Sequence, residues 1–390
     1  MNILHLVRPA EGGIKNHLLS LLRHLDKTKY KLVLACPKGD EWNPYLKNTD
    51  VEVVEIPLKG HFSLFSDMHS VFKLIELVKE KEIHLIHTHG MKAGLVGRIA
   101  ASFCKRHALP YLLSTVHNSI YQYQMPEYRR QMIAKVQQCL SYKTDKFITV
   151  SQALKKEIML WEGVPEDKIQ VIYNGINTEF FNKKTTPYDK IRLGLNPVFP
   201  VVGTVARLAP QKGIKHFIQA AFQVSQVVDQ VQFLVVGDGP LRRELEHQAS
   251  KIGLRDKIIF TGHYQNISEI YPLIDVFVMP SLSEGLSISL IEAMAAKRPI
   301  VASATGGIPE LIVHREFGLL VPPGNQQALA QGILELLKRP KWSEKLAEAA
   351  GQRARSQFTI EKMVQQTEEI YLEIAQGGVT KDQERRYAHA

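Results

Sequence analysis

Two carboxylates stand eight positions apart in the segment Glu284-Gly-Leu-Ser-Ile-Ser-Leu-Ile-Glu292. Before it runs Asp275-Val-Phe-Val-Met-Pro, whose apolar, β-branched residues predict a buried strand. After Gly285 come good helix formers, with a serine placed to cap the first turn. This order of strand, loop and helix puts Glu284 in the loop and Glu292 about two turns into the helix.

The beginning of this helix predicts an anion site. The backbone N–H groups of Leu286, Ser287 and Ile288 face the end of the strand, where the helix dipole favours a phosphate. A carboxylate beside a bound phosphate must face another group, such as a sugar hydroxyl. The alternative is structural: Glu284 caps the helix and Glu292 is an exposed charge, because pairs of glutamates are common.

Length and composition indicate a globular protein of two domains. A chain of 390 residues exceeds the size at which a single core stops growing, and 45% of its residues are hydrophobic. No apolar run is long enough to span a membrane. The first residues, Met1-Asn-Ile-Leu, are predicted to begin a strand, so we expect no secretory leader and a cytoplasmic location. The cysteines Cys36, Cys104 and Cys139 are too far apart to predict a disulfide framework or a metal site.

The formal net charge of +10 is concentrated in the first half of the chain. Residues 1–173 hold 24 lysines and arginines against 17 aspartates and glutamates, or +7. We do not expect nucleic acid as a partner, because the sequence has neither a recognition motif nor a dense basic run. An anionic membrane face or an acidic ligand fits this charge better.

Strands alternate with helices in both halves of the chain, which predicts parallel sheets covered by helices on both faces. In the first half we predict strands at Ile3–Val7, Lys31–Ala35, Val51–Ile56, Ile83–Thr88, Tyr111–Val116, Lys146–Val150 and Ile169–Ile172. In the second half we predict strands at Val201–Ala206, Gln232–Val236, Lys257–Phe260, Asp275–Met279, Ile300–Ala302 and Leu319–Val321.

We therefore predict an α/β protein with two tandem Rossmann-like, doubly wound domains that face each other across a cleft. The predicted divisions are a first domain at 1–173, a linker region at 174–200, a second domain at 201–360, a last helix at 361–376 and a frayed polar tail at 377–390.

Glycines and cations follow several predicted strands. Gly12 and Gly13 come after the first strand, where paired glycines allow a ligand to approach the backbone closely. In the second half, Gly203 lies in the first strand and Gly237 follows the next. A tight turn is the alternative for the Gly12–Gly13 pair and for Gly237. A Rossmann oxidoreductase is not favoured, because no G-x-G-x-x-G follows the first strand.

Arg207 and Lys212 come between the first strand of the second half and the next helix. A planar guanidinium and a compact ammonium over a helix start are suited to a diphosphate. The alternative is that both are solvated surface charges.

Three histidines end strands of the first half. We expect His87 and His89 to hold loops, and His117 to hydrogen-bond a sugar hydroxyl. No metal site is predicted, since there is no H-E-x-x-H motif, no Cys/His spacing and no D-x-D pair.

The combined pattern resembles the family-four retaining glycosyltransferases with the GT-B fold. The pattern consists of four parts: Gly12-Gly13, Arg207 followed by Lys212-Gly, Val-Gly237-Asp-Gly-Pro, and Glu284 eight positions before Glu292. The resemblance covers nearly the whole chain and is strongest from residue 203 to 324. One departure is Leu286-Ser287, where many members have Phe-Gly.

The resemblance implies transfer of a sugar from a nucleotide-diphosphate sugar, with a UDP-sugar favoured, to a glycan or lipid-linked acceptor in cell-envelope or polysaccharide synthesis. It implies neither a cofactor nor a metal. The implied roles are pyrophosphate neutralisation by Arg207 and Lys212, sugar binding by Glu284 and His117, ribose binding by Glu292, donor contacts by the amides of residues 286–288, and close approach to the pyrophosphate by Gly13.

Two other functions remain open from sequence alone: a sugar-nucleotide epimerase and a non-catalytic nucleotide-sugar-binding protein. For the acceptor side, the basic first domain carries the segments Phe62–Phe65 and Tyr121–Met125, in which aromatic and apolar residues lie near basic ones. These segments predict peripheral attachment to the inner membrane face, and a soluble acceptor is the alternative.

Overall fold

A computed structural model of the chain describes residues 1–10, 12–37, 41–104, 110–121, 125–181 and 186–388, with side chains described up to Gln376. It divides into two compact units, Met1–Gly175 with Ile360–Ala390, and Ile176–Thr359. The division between the units falls inside the predicted linker region 174–200, most of which belongs to the second unit.

The first unit is a parallel sheet with helices on both faces. Its described strands are β1 (Asn2–Val7), β2 (Lys31–Cys36), β3 (Val51–Glu55), β4 (Leu85–His89), β5 (Tyr111–Val116), β6 (Lys146–Thr149) and β7 (Ile169–Val171). Its described helices are α1 (Gly13–His24), α2 (Asn43–Leu46), α3 (Leu64–Glu80), α4 (Met91–Cys104), α5 (Glu127–Ser141), α6 (Gln152–Glu162) and, from the end of the chain, α14 (Ile360–Ala388). The strand order is β3-β2-β1-β4-β5-β6-β7, so the order reverses between β1 and β4.

Side chains of β1 alternate between two buried faces. Ile3 and Val7 join the core formed with α1 and α14, whereas Leu4 and Leu6 join the core formed with α3 and α4. Because both faces are covered, the strand is apolar almost throughout. The exception is His5, which lies on the same face as Ile3 and Val7.

The second unit repeats this plan. Its described strands are β8 (Val201–Val205), β9 (Gln232–Val236), β10 (Ile258–Gly262), β11 (Val276–Met279), β12 (Ile300–Ser303) and β13 (Leu319–Val321). Its described helices are α7 (Pro187–Arg192), α8 (Ile214–Ser225), α9 (Arg242–Lys251), α10 (Ile288–Ala295), α11 (Ile308–Leu311), α12 (Gln326–Lys338) and α13 (Pro340–Gln357). The strand order is β10-β9-β8-β11-β12-β13, and it reverses between β8 and β11. In open sheets of this kind, ligands bind beside the carboxyl ends of the strands where the order reverses.

The predicted strands are all confirmed within the described residues, each to within two residues at either end. Three of the described α-helices, α2, α7 and α11, are short, with four to six residues each. It differs at the end of the chain, because the backbone of α14 continues to Ala388 where we predicted a frayed tail. Residues 381–386 are polar but include good helix formers, so polarity alone does not end the helix. Among the described residues, no helix is both long and apolar enough to cross a membrane.

Candidate functional site

An ion pair joins the two loops at the point where the second sheet reverses its order. Lys212 Nζ lies 2.6 Å from Glu284 Oε1, and Ser281 Oγ donates to the same oxygen at 2.7 Å. Glu284 is only 4% exposed, whereas Lys212 is partly exposed. The loops after β8 and β11 therefore place a buried carboxylate against a cation that can still reach a ligand.

Two glycines let neighbouring loops approach these residues. Gly306 has a φ of +53°, and a Cβ there would lie 1.8 Å from the backbone oxygen of Glu284. Gly213 has a φ of +64°, and a Cβ there would lie 2.1 Å from the backbone oxygen of Pro280. Only glycine fits both the left-handed conformation and the close backbone contact. The Glu284 loop is thus held from both sides.

The other predicted residues of the β8 and β9 loops have differing environments. Arg207 is exposed, in the same loop as Lys212. Gly237 follows β9, where a Cβ would lie 2.0 Å from the oxygen of Ala206, and Gly203 lies within β8, where a Cβ would contact Ile274. Close packing is therefore sufficient to explain both glycines.

The helix that begins after Glu284 is capped as predicted. The Ser287 side chain accepts a hydrogen bond from the backbone N–H of Leu290 at 3.3 Å. The predicted phosphate-facing residues Leu286, Ser287 and Ile288 are all buried. Their backbone N–H groups stand at the positive end of the α10 dipole.

Glu292 lies on α10, where it is buried and not an exposed helix charge. Tyr271, which is also buried, donates a hydrogen bond from its Oη to Glu292 Oε2 at 2.6 Å. Burial raises the pKa of Glu292 to about 7, although the Tyr271 hydrogen bond acts in the opposite direction. The carboxyl group is therefore poised between its neutral and charged forms near neutral pH.

In the first unit, Gly12 and Gly13 begin α1 at an exposed position. Gly12 has a φ of +61°, and a Cβ there would have no neighbour within 4 Å. Glu11, which precedes this pair, lies outside the described residues. The space around Gly12 is compatible with the close approach of a ligand that the sequence predicts.

His117 lies just beyond β5 in a cluster of buried histidines. Its Nε2 lies 3.3 Å from His89 Nδ1, and its ring meets that of His17 edge-on with the centroids 4.7 Å apart. His17 Nδ1 in turn lies 3.0 Å from Asn174 Oδ1. Burial lowers the pKa of His117 well below its usual value, so the ring is neutral at neutral pH.

Two family models match the two halves of the chain. The model for Glycosyltransferase Family 4 matches residues 11–180, and the model for glycosyl transferases group 1 matches residues 188–357. The chain belongs to the family-four glycosyltransferases. The family and the GT-B fold predicted from its sequence are confirmed.

Two relatives and one solved structure each match this glycosyltransferase over most of its length. The UDP-Gal:α-D-GlcNAc-diphosphoundecaprenol α-1,3-galactosyltransferase of Escherichia coli is 27% identical over 381 residues, covering 94% of this chain and 95% of the relative. The capsular polysaccharide biosynthesis glycosyltransferase CapM of Staphylococcus aureus is 27% identical, covering 84% and 86%. The crystal structure of Anabaena HepE in complex with UDP-glucose has a TM-score of 0.82 and 26% identity, covering 96% of this chain and 100% of that chain.

The sequence of this glycosyltransferase predicted the charged residues of the site but not the side chains that hydrogen-bond to the site residues. The fold brings Lys212 and Glu284 into contact. Glu292 accepts a hydrogen bond from Tyr271. The missed partners are Ser281, Tyr271, His5, His17 and Asn174. Only Ser281, three residues before Glu284, could have been suspected from its position. The others are distant in the sequence from the groups they contact.

Proposed function

We propose that this glycosyltransferase moves a sugar from a UDP-sugar to a glycan or lipid-linked acceptor, with retention of configuration and without a metal ion. Relatives named for galactosyl transfer to a diphosphoundecaprenol-linked sugar and for capsular polysaccharide biosynthesis support the class of acceptor. The HepE complex with UDP-glucose supports the class of donor.

The observation that carries the proposal is the Lys212–Glu284 contact beside the strand ends where the sheet order reverses. An anionic diphosphate requires fixed positive charge when its bond to the sugar breaks. Lys212 is held in place by Glu284, so little reorganisation is needed in the transition state. Arg207, exposed in the same loop, would add a second cation with a planar fork of donors.

Glu284 has a binding role in this proposal and is not a nucleophile. Both hydrogen bonds described above reach Oε1, and a carboxylate accepts up to about four hydrogen bonds. A sugar hydroxyl can therefore donate to the same side chain. A carboxylate paired with an ammonium is also a weak nucleophile, because its charge is already stabilised. The departing phosphate would instead take the proton of the acceptor hydroxyl on the same face of the sugar.

The remaining site residues would orient the donor. Glu292 would accept hydrogen bonds from the ribose hydroxyls, and the amides of residues 286–288 would contact the phosphates or the sugar. His117, which is neutral, would hydrogen-bond the transferred sugar, and Gly13 would approach the pyrophosphate. Close packing explains Gly203 and Gly237, so we propose for them a role in shaping the loops of the donor site.

For the acceptor, we propose that the enzyme binds an anionic membrane face that carries it. Around the beginning of α3, large apolar side chains stand in solvent, and Phe65 is 90% exposed. We define the α3 patch by five exposed residues: Phe62, Leu64, Phe65, Met68 and Phe72. Lys59 is exposed beside it, and Lys73 is partly exposed. Amphipathic surfaces of this kind bind headgroups with their cations and acyl chains with their apolar groups.

The second segment predicted to bind the membrane, Tyr121–Met125, is only in part a candidate for this role. Tyr121 is buried, where it donates to Glu162 Oε1 at 3.1 Å and stacks on Trp161, because its hydroxyl finds a partner inside the unit. Residues 122–124 lie outside the described residues. On α5, exposed side chains recur at helical spacing instead, at Tyr128, Met132 and Val136.

The experiment that tests the function measures products from UDP-sugars, with and without a lipid-linked acceptor. We expect UDP release that rises with acceptor, and a product whose anomeric configuration by NMR matches that of the donor. An epimerase would convert the donor sugar without releasing UDP, and a non-catalytic binder would yield no product. An inverted linkage would contradict retention alone.

A further inference from the structure

Five histidines lie buried together on one face of the first sheet. His5 on β1 is the register partner of His87 on β4, and His89 follows two residues later on the same face. His17 of α1 and His117 after β5 complete the cluster. Burial lowers the pKa of each of these side chains, so every ring keeps a lone pair at neutral pH.

Three of the five rings each place one nitrogen close to a nitrogen of the other two. The ring nitrogens of His17, His89 and His117 lie within 4.8 Å of one another. The distance from His89 Nδ1 to His117 Nε2 is 3.3 Å. A tetrahedral ion with bonds of about 2.0–2.1 Å to nitrogen separates its ligand atoms by about 3.3 Å. His87 is not available, since its two nitrogens already contact Tyr371 Oη and Thr115 Oγ1.

The outer hydrogen bonds of His17 and His89 favour a lone pair on the inward nitrogen of each ring. His17 Nδ1 faces Asn174 Oδ1, an acceptor, so Nδ1 carries the proton and Nε2 keeps its lone pair. His89 Nε2 lies 3.1 Å from His5 Nδ1, and by donating there it leaves Nδ1 as an acceptor. Ligand histidines in proteins are commonly oriented by such partners on the other ring nitrogen.

We propose that His17, His89 and His117 bind Zn²⁺ through three imidazole nitrogens, and that the bound ion inhibits sugar transfer. Imidazoles suit Zn²⁺, whereas Mg²⁺ and Ca²⁺ prefer oxygen ligands. The inhibition rests on the proposed function, because the ion occupies the same His117 that would contact the donor sugar. The binding does not rest on it. A metal-independent transfer and an inhibitory metal site are compatible, since transfer itself needs no ion and the bound ion would block His117.

The binding test uses the full-length chain after metal removal, with Zn²⁺ titrated by calorimetry. We expect one equivalent per chain, with affinity at least about 100-fold lower in His17→Gln and in His89→Gln. His24→Gln, an exposed histidine of α1, is the matched control and should bind as the wild type does. An affinity unchanged in both cluster variants would overturn the site.

Wild-type protein gives an independent answer, should the buried variants not fold. Co²⁺ in place of Zn²⁺ should show the intense visible absorption of four-coordinate cobalt, and displacement by Zn²⁺ should remove it. The weak absorption of six-coordinate cobalt would overturn the site. If Zn²⁺ binds but leaves sugar transfer unchanged, the inhibition is wrong. The metal titration tests the site even if no sugar transfer is ever detected. Failure of the metal site can therefore be distinguished from failure of the proposed function.

Discussion

Lys212 Nζ contacts Glu284 Oε1 at 2.6 Å, so the cation predicted to face the donor phosphate is held by the carboxylate predicted to face the donor sugar. Glu284 is buried, and removing its partner would leave a charge without compensation. The two residues therefore act as one unit in the site. Substitutions at either position should affect both donor binding and catalysis.

Loss of either cation should slow transfer. We expect Lys212→Ala and Arg207→Ala each to lower kcat by about two orders of magnitude or more, as does removal of one donor that stabilises developing negative charge. Lys215→Ala, an exposed lysine on α8, is the control and should retain wild-type turnover. Steady-state kinetics with a UDP-sugar provides the measurement. Near-wild-type turnover in both site variants would contradict the assignment.

Gly306→Ala should disturb Glu284 through the backbone. The new methyl group would meet the backbone oxygen of Glu284 at 1.8 Å, in a left-handed conformation. We expect the free energy of unfolding to fall by about 2 kcal/mol or more, together with reduced transfer. Denaturant titration measures the first effect. Gly60→Ala is the control, since a Cβ there has no neighbour within 4 Å. A fully stable and active Gly306→Ala enzyme would show that the loop contact is unimportant.

Glu292 should make stability depend on pH. Its pKa is about 7 in the folded protein against an ordinary 4.5, so the folded state binds the proton more tightly. The resulting contribution of Glu292 to the free energy of unfolding is complete below about pH 4.5 and is lost as the pH rises through 7. Glu292→Gln keeps an acceptor for Tyr271 but does not ionise. We expect it to raise the free energy of unfolding at pH 8 by up to about 3 kcal/mol and to change little at pH 4. An equal effect at both pH values would argue against titration of Glu292.

Sugar transfer should survive a chelator. The groups proposed to neutralise the diphosphate are Arg207, Lys212 and helix N–H groups, which need no metal ion. Assays in excess EDTA should therefore show activity equal to, or greater than, that of untreated enzyme. Greater activity is expected where Zn²⁺ had occupied the histidine site. A strict requirement for added Mg²⁺ or Mn²⁺ would contradict metal independence.

The α3 patch should bind anionic membranes in a salt-sensitive manner. Each basic residue near such a surface contributes about 1 kcal/mol, and salt screens this attraction. We expect co-sedimentation with vesicles rich in anionic lipid at low salt, and reduced binding at high salt. Substitution of Phe62 and Phe65 by serine should weaken binding, whereas Phe103→Ser, at the far end of α4, should not. Protein that stays in the supernatant at low salt would contradict membrane attachment but not glycosyl transfer.

The sequence alone was sufficient to predict the strands and the edge of the sheet where the site lies. Alternating apolar strands and amphipathic helices are local patterns, and a parallel sheet places every strand end on one edge. Arg207, Lys212 and Glu284 could therefore be assigned to one region from their positions after strands. The capping role of Ser287 was also predictable, because a cap depends only on residues within one helical turn.

The folded structure was needed to show which charged groups meet and in what environment. Tyr271 lies 21 residues before Glu292 in the chain. Their contact, like the raised pKa of Glu292, depends on how α10 packs against the segment that precedes β11. The same is true of the histidines, since His5 and His87 become neighbours only through the register of β1 with β4. Burial and long-range contact arise from the packing of distant segments, so no local pattern in the sequence encodes them.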